Sequence, residues 1–210
     1  MKSVYEYLTE KRVSHTSVKP EEKHIDDNLI SYIKEKQYSE LTDALENGAI
    51  ASDEALIYAC LAHDKKAVSI LLDNGANPNA ESTDGTPALI VSAWRHNYEI
   101  MKILILAGAD MNVTFKQDGY YPIQYMAYTD NVEMLDFMIK HGAKTDIKNK
   151  NHPHVNRTLL YACIDAKPVA KKCIKYLVDN NLIQFGREHD ALTILPSRTK
   201  DKKILHMLEY

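Results

Sequence analysis

Apolar residues recur along this chain in two alternating helical patterns, a short one such as "PALIVSAWR" (87–95) and a longer one such as "YEIMKILILA" (98–107). In the longer pattern Ile100, Met101, Leu104 and Ile105 follow the i, i+1, i+4, i+5 spacing of one helix face, which predicts that one side is buried. A glycine follows each longer pattern, at Gly75, Gly108 and Gly142, where a left-handed residue ends a helix at little steric cost. The next segments, "NPNAESTDG" (77–85) and "DMNVTFKQDG" (110–119), carry the Asn, Asp and Gly of a tight hairpin-like turn. Each unit reads as turn, short helix, longer helix.

The unit repeats. "AVSILLDNGANPN" (67–79) recurs as "IMKILILAGADMN" (100–112) and more loosely as "MLDFMIKHGAKTD" (134–146), with glycines 33 and 34 residues apart. A looser first copy ends in "LTDALENGAI" (41–50) and a degenerate fourth in "IKYLVDNNLI" (174–183), where Asn181 takes the glycine position. These residues resemble the ankyrin-repeat family, whose unit runs roughly D-G-x-T-P-L-H-x-A-A, two variable residues, G-H-x-E-I-V, then L-L-x-x-G-A-D-x-N. Asp84, Gly85, Leu89, Ala93, Glu99, Ile100, Leu104, Gly108, Ala109, Asp110 and Asn112 fall at matching places in one copy. Asp118, Gly119, Pro122, Ala127, Glu133, Leu135, Gly142 and Ala143 match in the next, and Leu56, Ala59, Val68, Leu72, Gly75, Ala76 and Asn79 in the one before. The resemblance implies an all-α solenoid of stacked helix pairs with hairpin-like fingers, in which Leu72, Ala93 and Leu104 pack between neighbouring helices. Ile57, Ile90 and Gln124 replace the family's His, so its hydrogen-bond network between fingers is expected to be absent.

Residues 1–24 lie outside the pattern and read as a short helix around Val4, Tyr5 and Leu8 followed by a polar connector, "SHTSVKPEEKH" (14–24). The repeat domain is expected over 25–210: a degenerate first repeat (25–50), repeats over about 51–83, 84–117 and 118–150, an expanded repeat (151–183) with a long linker "DAKPVAKK" (165–172), and C-terminal capping helices (184–210) broken at Pro196.

Composition changes the picture only in part. No run of about 18 apolar residues spans a bilayer and no secretory leader opens the chain, so a cytoplasmic protein without membrane contact is expected. Cys60, Cys163 and Cys173 are too few and too irregular for a disulfide framework and read as buried packing residues. The G-x-S-x-G, Walker A, G-x-G-x-x-G and H-E-x-x-H motifs are absent, and His152 and His154 lack further ligands at metal-site spacing, so neither catalysis nor a cofactor or metal is expected. Charge is uneven: residues 1–139 hold 12 Lys/Arg against 22 Asp/Glu, and 140–210 hold 14 against 7. The basic end, with Lys148, Lys150 and Arg157 on one long finger, suits an acidic partner, and nucleic acid is the alternative.

A solenoid of this kind is a binding surface, and the expectation is a non-enzymatic protein–protein interaction module that occupies or scaffolds a partner. Richness in Lys, Ile, Asn and Tyr suits an AT-rich genome, so a pathogen- or phage-encoded inhibitor acting in host cytoplasm is one such context. The only tryptophan, Trp94, and Arg95 fall at the two variable positions after the small pair of the short helix, on its open side. The same register gives Tyr128 and Thr129, and the residue after each finger glycine gives Thr86 and Tyr120. Trp94, Tyr128 and Tyr120 are expected to share one surface, with Phe115 at the finger tip and Thr83, Asp84, Lys116 and Gln117 as further partner-binding residues.

Overall fold

The computed structural model describes residues 20–114, 119–146, 158–183 and 199–208, and eleven α-helices lie among them. They are α1 (Pro20–Glu35), α2 (Tyr38–Glu46), α3 (Asp53–Leu61), α4 (Lys65–Asp73), α5 (Ala88–Trp94), α6 (Tyr98–Leu106), α7 (Pro122–Tyr128), α8 (Val132–Lys140), α9 (Leu159–Asp165), α10 (Lys171–Asp179) and α11 (Lys202–Leu208). Odd and even helices pair, α1 with α2 through α9 with α10, and each pair stacks on the next. The odd helices form one row, α1–α3–α5–α7–α9, and the even ones pack behind it. The fold is an all-α solenoid in which each pair buries its apolar stripe on its neighbours.

One correction falls at the start. Residues 20–24, expected in a polar connector, belong to α1. Pro, Glu and Lys are all compatible with the first turns of a helix, so the polar look of "PEEKH" does not mark a connector. The expected helix around Val4 and the break at Pro196 lie outside the described residues.

The helix face read from spacing is the buried one: Ile100, Met101, Leu104 and Ile105 all lie in the core. Ala93 is buried with them, but Leu72 is only partly buried, and Leu71 is the fully buried leucine of its helix. The register explains the slip. Leu71 stands four residues before Gly75 as Leu104 stands before Gly108, whereas Leu72 corresponds to Ile105, the least buried of those four core residues.

Helix ends are set by a repeated device. Asp64, Asn97 and Asn131 cap α4, α6 and α8 through their side chains, accepting from the amides of Ala67, Ile100 and Met134. Before each cap, His63, His96 and Asp130 adopt φ of 57°, 54° and 57°, which turns the chain sharply from the short helix into the long one. Gly108 and Gly142, both at φ 96°, close the long helices, and a Cβ there would meet no atom within 4 Å. Their requirement is therefore the dihedral alone. Asn181, in the glycine position of the expanded repeat, is likewise left-handed at φ 53°.

The expanded repeat departs from the rule. Its linker ends in Ala170, which has no side chain to cap α10. Asp130 of the preceding repeat replaces it: Oδ1 accepts from the amide of Cys173, in the first turn of α10, at 2.8 Å. Fingers are tied by asparagines, with Asn79 Oδ1 accepting from Asp110 N at 2.7 Å and Asn112 Oδ1 from Lys144 N at 2.9 Å. Gln124, at the family's His position, is buried, and its Oε1 accepts from Tyr121 N at 2.9 Å. Polar pairs join consecutive long helices, including Lys102 with Glu133 at 2.7 Å and Tyr176 Oη donating to Asp136 at 2.8 Å.

Candidate functional site

The short helices supply the most distinctive surface. Trp94 is the last residue of α5 and Arg95 its C-cap, so both leave the helix where its apolar stripe ends. Trp94 meets Tyr125 of α7 edge-on, with centroids 6.2 Å apart and planes at 86°, a geometry that sets a ring edge against a ring face. Tyr120 leans on the same ring at 5.8 Å and 47°. Tyr125 thus links Trp94 to Tyr120 across two repeats. Tyr128, one helical turn further, is 44% exposed.

Tyr125 is the residue that sequence reasoning missed. The signal was available: Tyr58, Tyr125 and Tyr161 hold the position just before the paired small or core residues of α3, α7 and α9, and all three are partly buried. Counting only the positions after that pair passes over them. Lys34 stands over the ring of Tyr58 at 5.5 Å, continuing the aromatic row with a cation at its N-terminal end.

Arg95 is unusual in its surroundings. Its Nε is buried without a hydrogen-bond partner, the one such side-chain atom among the described residues. His63, in the equivalent turn of the preceding repeat, has its pKa lowered by burial and then by the charge of Arg95.

Other expected site residues separate into two groups. Thr83 is exposed at its turn and Asp84 partly so, Asp84 and Thr86 hold that turn together, and Thr86 alone of the three is removed from the open surface. Thr86 is buried, and Asp84 Oδ1 accepts from its hydroxyl at 2.8 Å and its amide at 3.3 Å. The turn closes an isolated bridge between Glu81 and Pro87, so finger residues near its base serve the backbone. Thr129 is partly buried and donates its hydroxyl to Tyr125 O at 2.9 Å. Phe115, Lys116, Gln117, Lys148, Lys150 and Arg157 lie outside the described residues, as do His152 and His154. A cleft of about 270 Å³ opens between successive fingers, between Pro78, Pro87, Leu89 and Val113, with Asn79, Glu81 and Asp110 at its polar edge.

All three cysteines are buried, and burial pushes the Cys60 thiol up to about 12, against a weaker opposing hydrogen bond with Ser92. It is a packing residue rather than a nucleophile at neutral pH. No helix among the described residues is long and apolar enough to cross a membrane.

Comparison with known proteins places this geometry. A family model of ankyrin repeats matches residues 26–115 and 97–189. An ankyrin repeat protein of Acanthamoeba polyphaga mimivirus is 27% identical over 131 residues, 62% of this chain and 16% of that protein. Protein PhlB of Serratia liquefaciens is 30% identical over 95 residues, 45% of this chain and 42% of its own. The human mitochondrial disaggregase is 33% identical over 98 residues, 47% of this chain but 13% of the disaggregase. The chain thus spans less than half the length of each of these relatives. None of these matches supports nucleic-acid binding.

Proposed function

The chain belongs to the ankyrin-repeat family, a protein–protein interaction module, and on that premise we propose that its short-helix face docks a partner protein around Trp94, Tyr125 and Tyr120. The observation that carries the reading is the Trp94–Tyr125–Tyr120 cluster, three large rings gathered from two repeats where other short-helix residues are mostly aliphatic or small. Rings of this kind cover much area with few rotors to freeze, which concentrates binding energy at interface centres. The mode of action proposed is occupancy or scaffolding of that partner in the cytoplasm, of a host cell if the protein is pathogen-encoded. The disaggregase's activity is not carried over, because the shared segment is a small fraction of that protein.

The test is a random-peptide display selection on the immobilised full chain, with a Trp94→Ala/Tyr125→Ala variant for counter-selection. Peptides recovered on the parent should bind the variant at least thirtyfold more weakly, about 2 kcal/mol, at a temperature where circular dichroism shows both chains folded. Equal binding by parent and variant would move the docking surface to the basic finger around Lys148, Lys150 and Arg157.

A further inference from the structure

We propose that Arg95 anchors a carboxylate of the partner, an Asp or Glu side chain set beside an apolar residue that lies over Trp94 and Tyr125. The inference rests on the docking-face reading and adds the chemistry of what is docked. A guanidinium offers five donors and no acceptor, and the Nε–H of Arg95 is sealed from water without an acceptor. Among the described residues no carboxylate forms an ion pair with it, although Lys102, Lys140, Lys171 and Lys175 each have one. A structural arginine offsets the desolvation of each buried donor with a hydrogen bond; the Nε–H of this one has none, so an incoming acceptor meets a cation that no carboxylate of the described residues has neutralised.

Charge alone says anion, and geometry narrows it. With Nε closed off, the part of the guanidinium left for a partner is the Nη1–Nη2 end, two parallel donors that match the two oxygens of a carboxylate. Trp94 precedes Arg95 in the chain and meets Tyr125 edge-on, so the same contact offers apolar area beside the charge. The surrounding charge excludes an acidic run: residues 1–139 hold 22 Asp/Glu against 12 Lys/Arg and would repel it. One carboxylate within an apolar segment satisfies both conditions. His63, whose proton affinity is lowered partly by Arg95, shows that the arginine's field reaches the neighbouring turn.

Trp94 is the only tryptophan, so its emission reports on this site alone. Two hexapeptides of Leu and Ser, blocked at both ends, one with a single Glu at its centre and the other with Gln in its place, are titrated into the full chain at low salt, with inorganic phosphate as a third probe. The Glu peptide should give a saturable change in Trp94 emission, at least tenfold tighter than the Gln peptide. Arg95→Gln should erase that difference while keeping the parent's melting temperature, and Arg95→Lys, which keeps the charge without the fork, should fall between. Equal affinity for the two peptides, an undiminished preference in Arg95→Gln, or absence of any saturable change overturns the anchor. So does phosphate competing at the peptide's own concentration, which makes the site a general anion trap, or a drop in the melting temperature of Arg95→Gln, which makes Arg95 scaffold. Display-selected peptides that bind parent and Arg95→Gln alike remove the anchor and leave the docking face. Selection of no peptide at all is the failure of the broader reading.

Discussion

Asp130 performs two jobs that other repeats divide, and removing each separately gives graded losses. Its left-handed backbone, φ 57°, makes the turn from α7 into α8, and its Oδ1 caps α10 of the next repeat through Cys173 N at 2.8 Å. A lost N-cap costs about 1 kcal/mol and a lost carboxylate near a helix N-terminus about 0.3–1 kcal/mol. Left-handed backbone costs an ordinary L-residue roughly 1–2 kcal/mol, less for Asp or Asn. Asp130→Ala therefore loses the cap and the charge and adds strain, about 2–3 kcal/mol in all. Asp130→Gly loses cap and charge but relieves the backbone, leaving about 0.5–1 kcal/mol. Asp130→Asn keeps both acceptor and turn and loses only charge, about 0.5 kcal/mol.

Urea unfolding followed by far-ultraviolet circular dichroism gives the order Ala, Gly, Asn from most to least damaging. Hydrogen exchange at the Cys173 amide locates the loss, since that proton loses its acceptor in the Ala and Gly variants and keeps it in Asn. Ala170→Ser supplies a local cap, so Asp130→Gly should cost less in that background than in the parent. An Asn variant as damaged as the Ala variant, or a Cys173 amide equally protected in all three, refutes the capping argument.

Leu104→Ala should cost about 2–5 kcal/mol through lost burial and a cavity, and Leu71→Ala should cost more than Leu72→Ala; denaturation midpoints of the three decide. Gly108→Ala should cost about 1–2 kcal/mol although the space around it is open, because its φ of 96° is the whole constraint, and a neutral result by the same assay removes that account. The Tyr176 phenol is raised from 10.0 to about 12 by burial and then by Asp136, so its folded pKa lies above the unfolded one. Its contribution is complete below pH 10 and is lost as pH rises through 10 to 12, and Tyr176→Phe should flatten that part of the urea-midpoint profile.

The fold was legible because its signals are local and repeated. Ile100, Met101, Leu104 and Ile105 declare a buried face by spacing alone, and the recurring glycine declares the helix end by chirality. What escaped depended on neighbours distant in sequence. Asp130 looks like an ordinary turn residue until α10 is placed 43 positions away with no cap of its own. Tyr125 sits between two positions that spacing marks as core, and its partners come from the preceding repeat and the adjoining finger. Thr86 was misplaced for the opposite reason: a polar residue on a finger suggests a surface for partners, but a tight turn consumes its own hydroxyls, here on the Asp84 carboxylate.

Position in the stack bears on how the face would work. In a solenoid each pair is held only by its neighbours, so the ends open first and interior pairs last. The Trp94–Tyr125 contact bridges α5 and α7, with α3 packed on one side and α9 on the other. The cap on α10 from Asp130 ties the expanded repeat to this central pair and shields α7 from becoming a terminal surface. Weakening that tie should release α9 and α10 first while Trp94 keeps its environment. In Asp130→Gly, the loss of helical signal at low urea should therefore precede any change in Trp94 emission, whereas in the parent the two transitions lie closer together. Coincident transitions in the variant would mean that the repeats unfold as one unit and that the face depends on its C-terminal neighbours as strongly as on its own contacts.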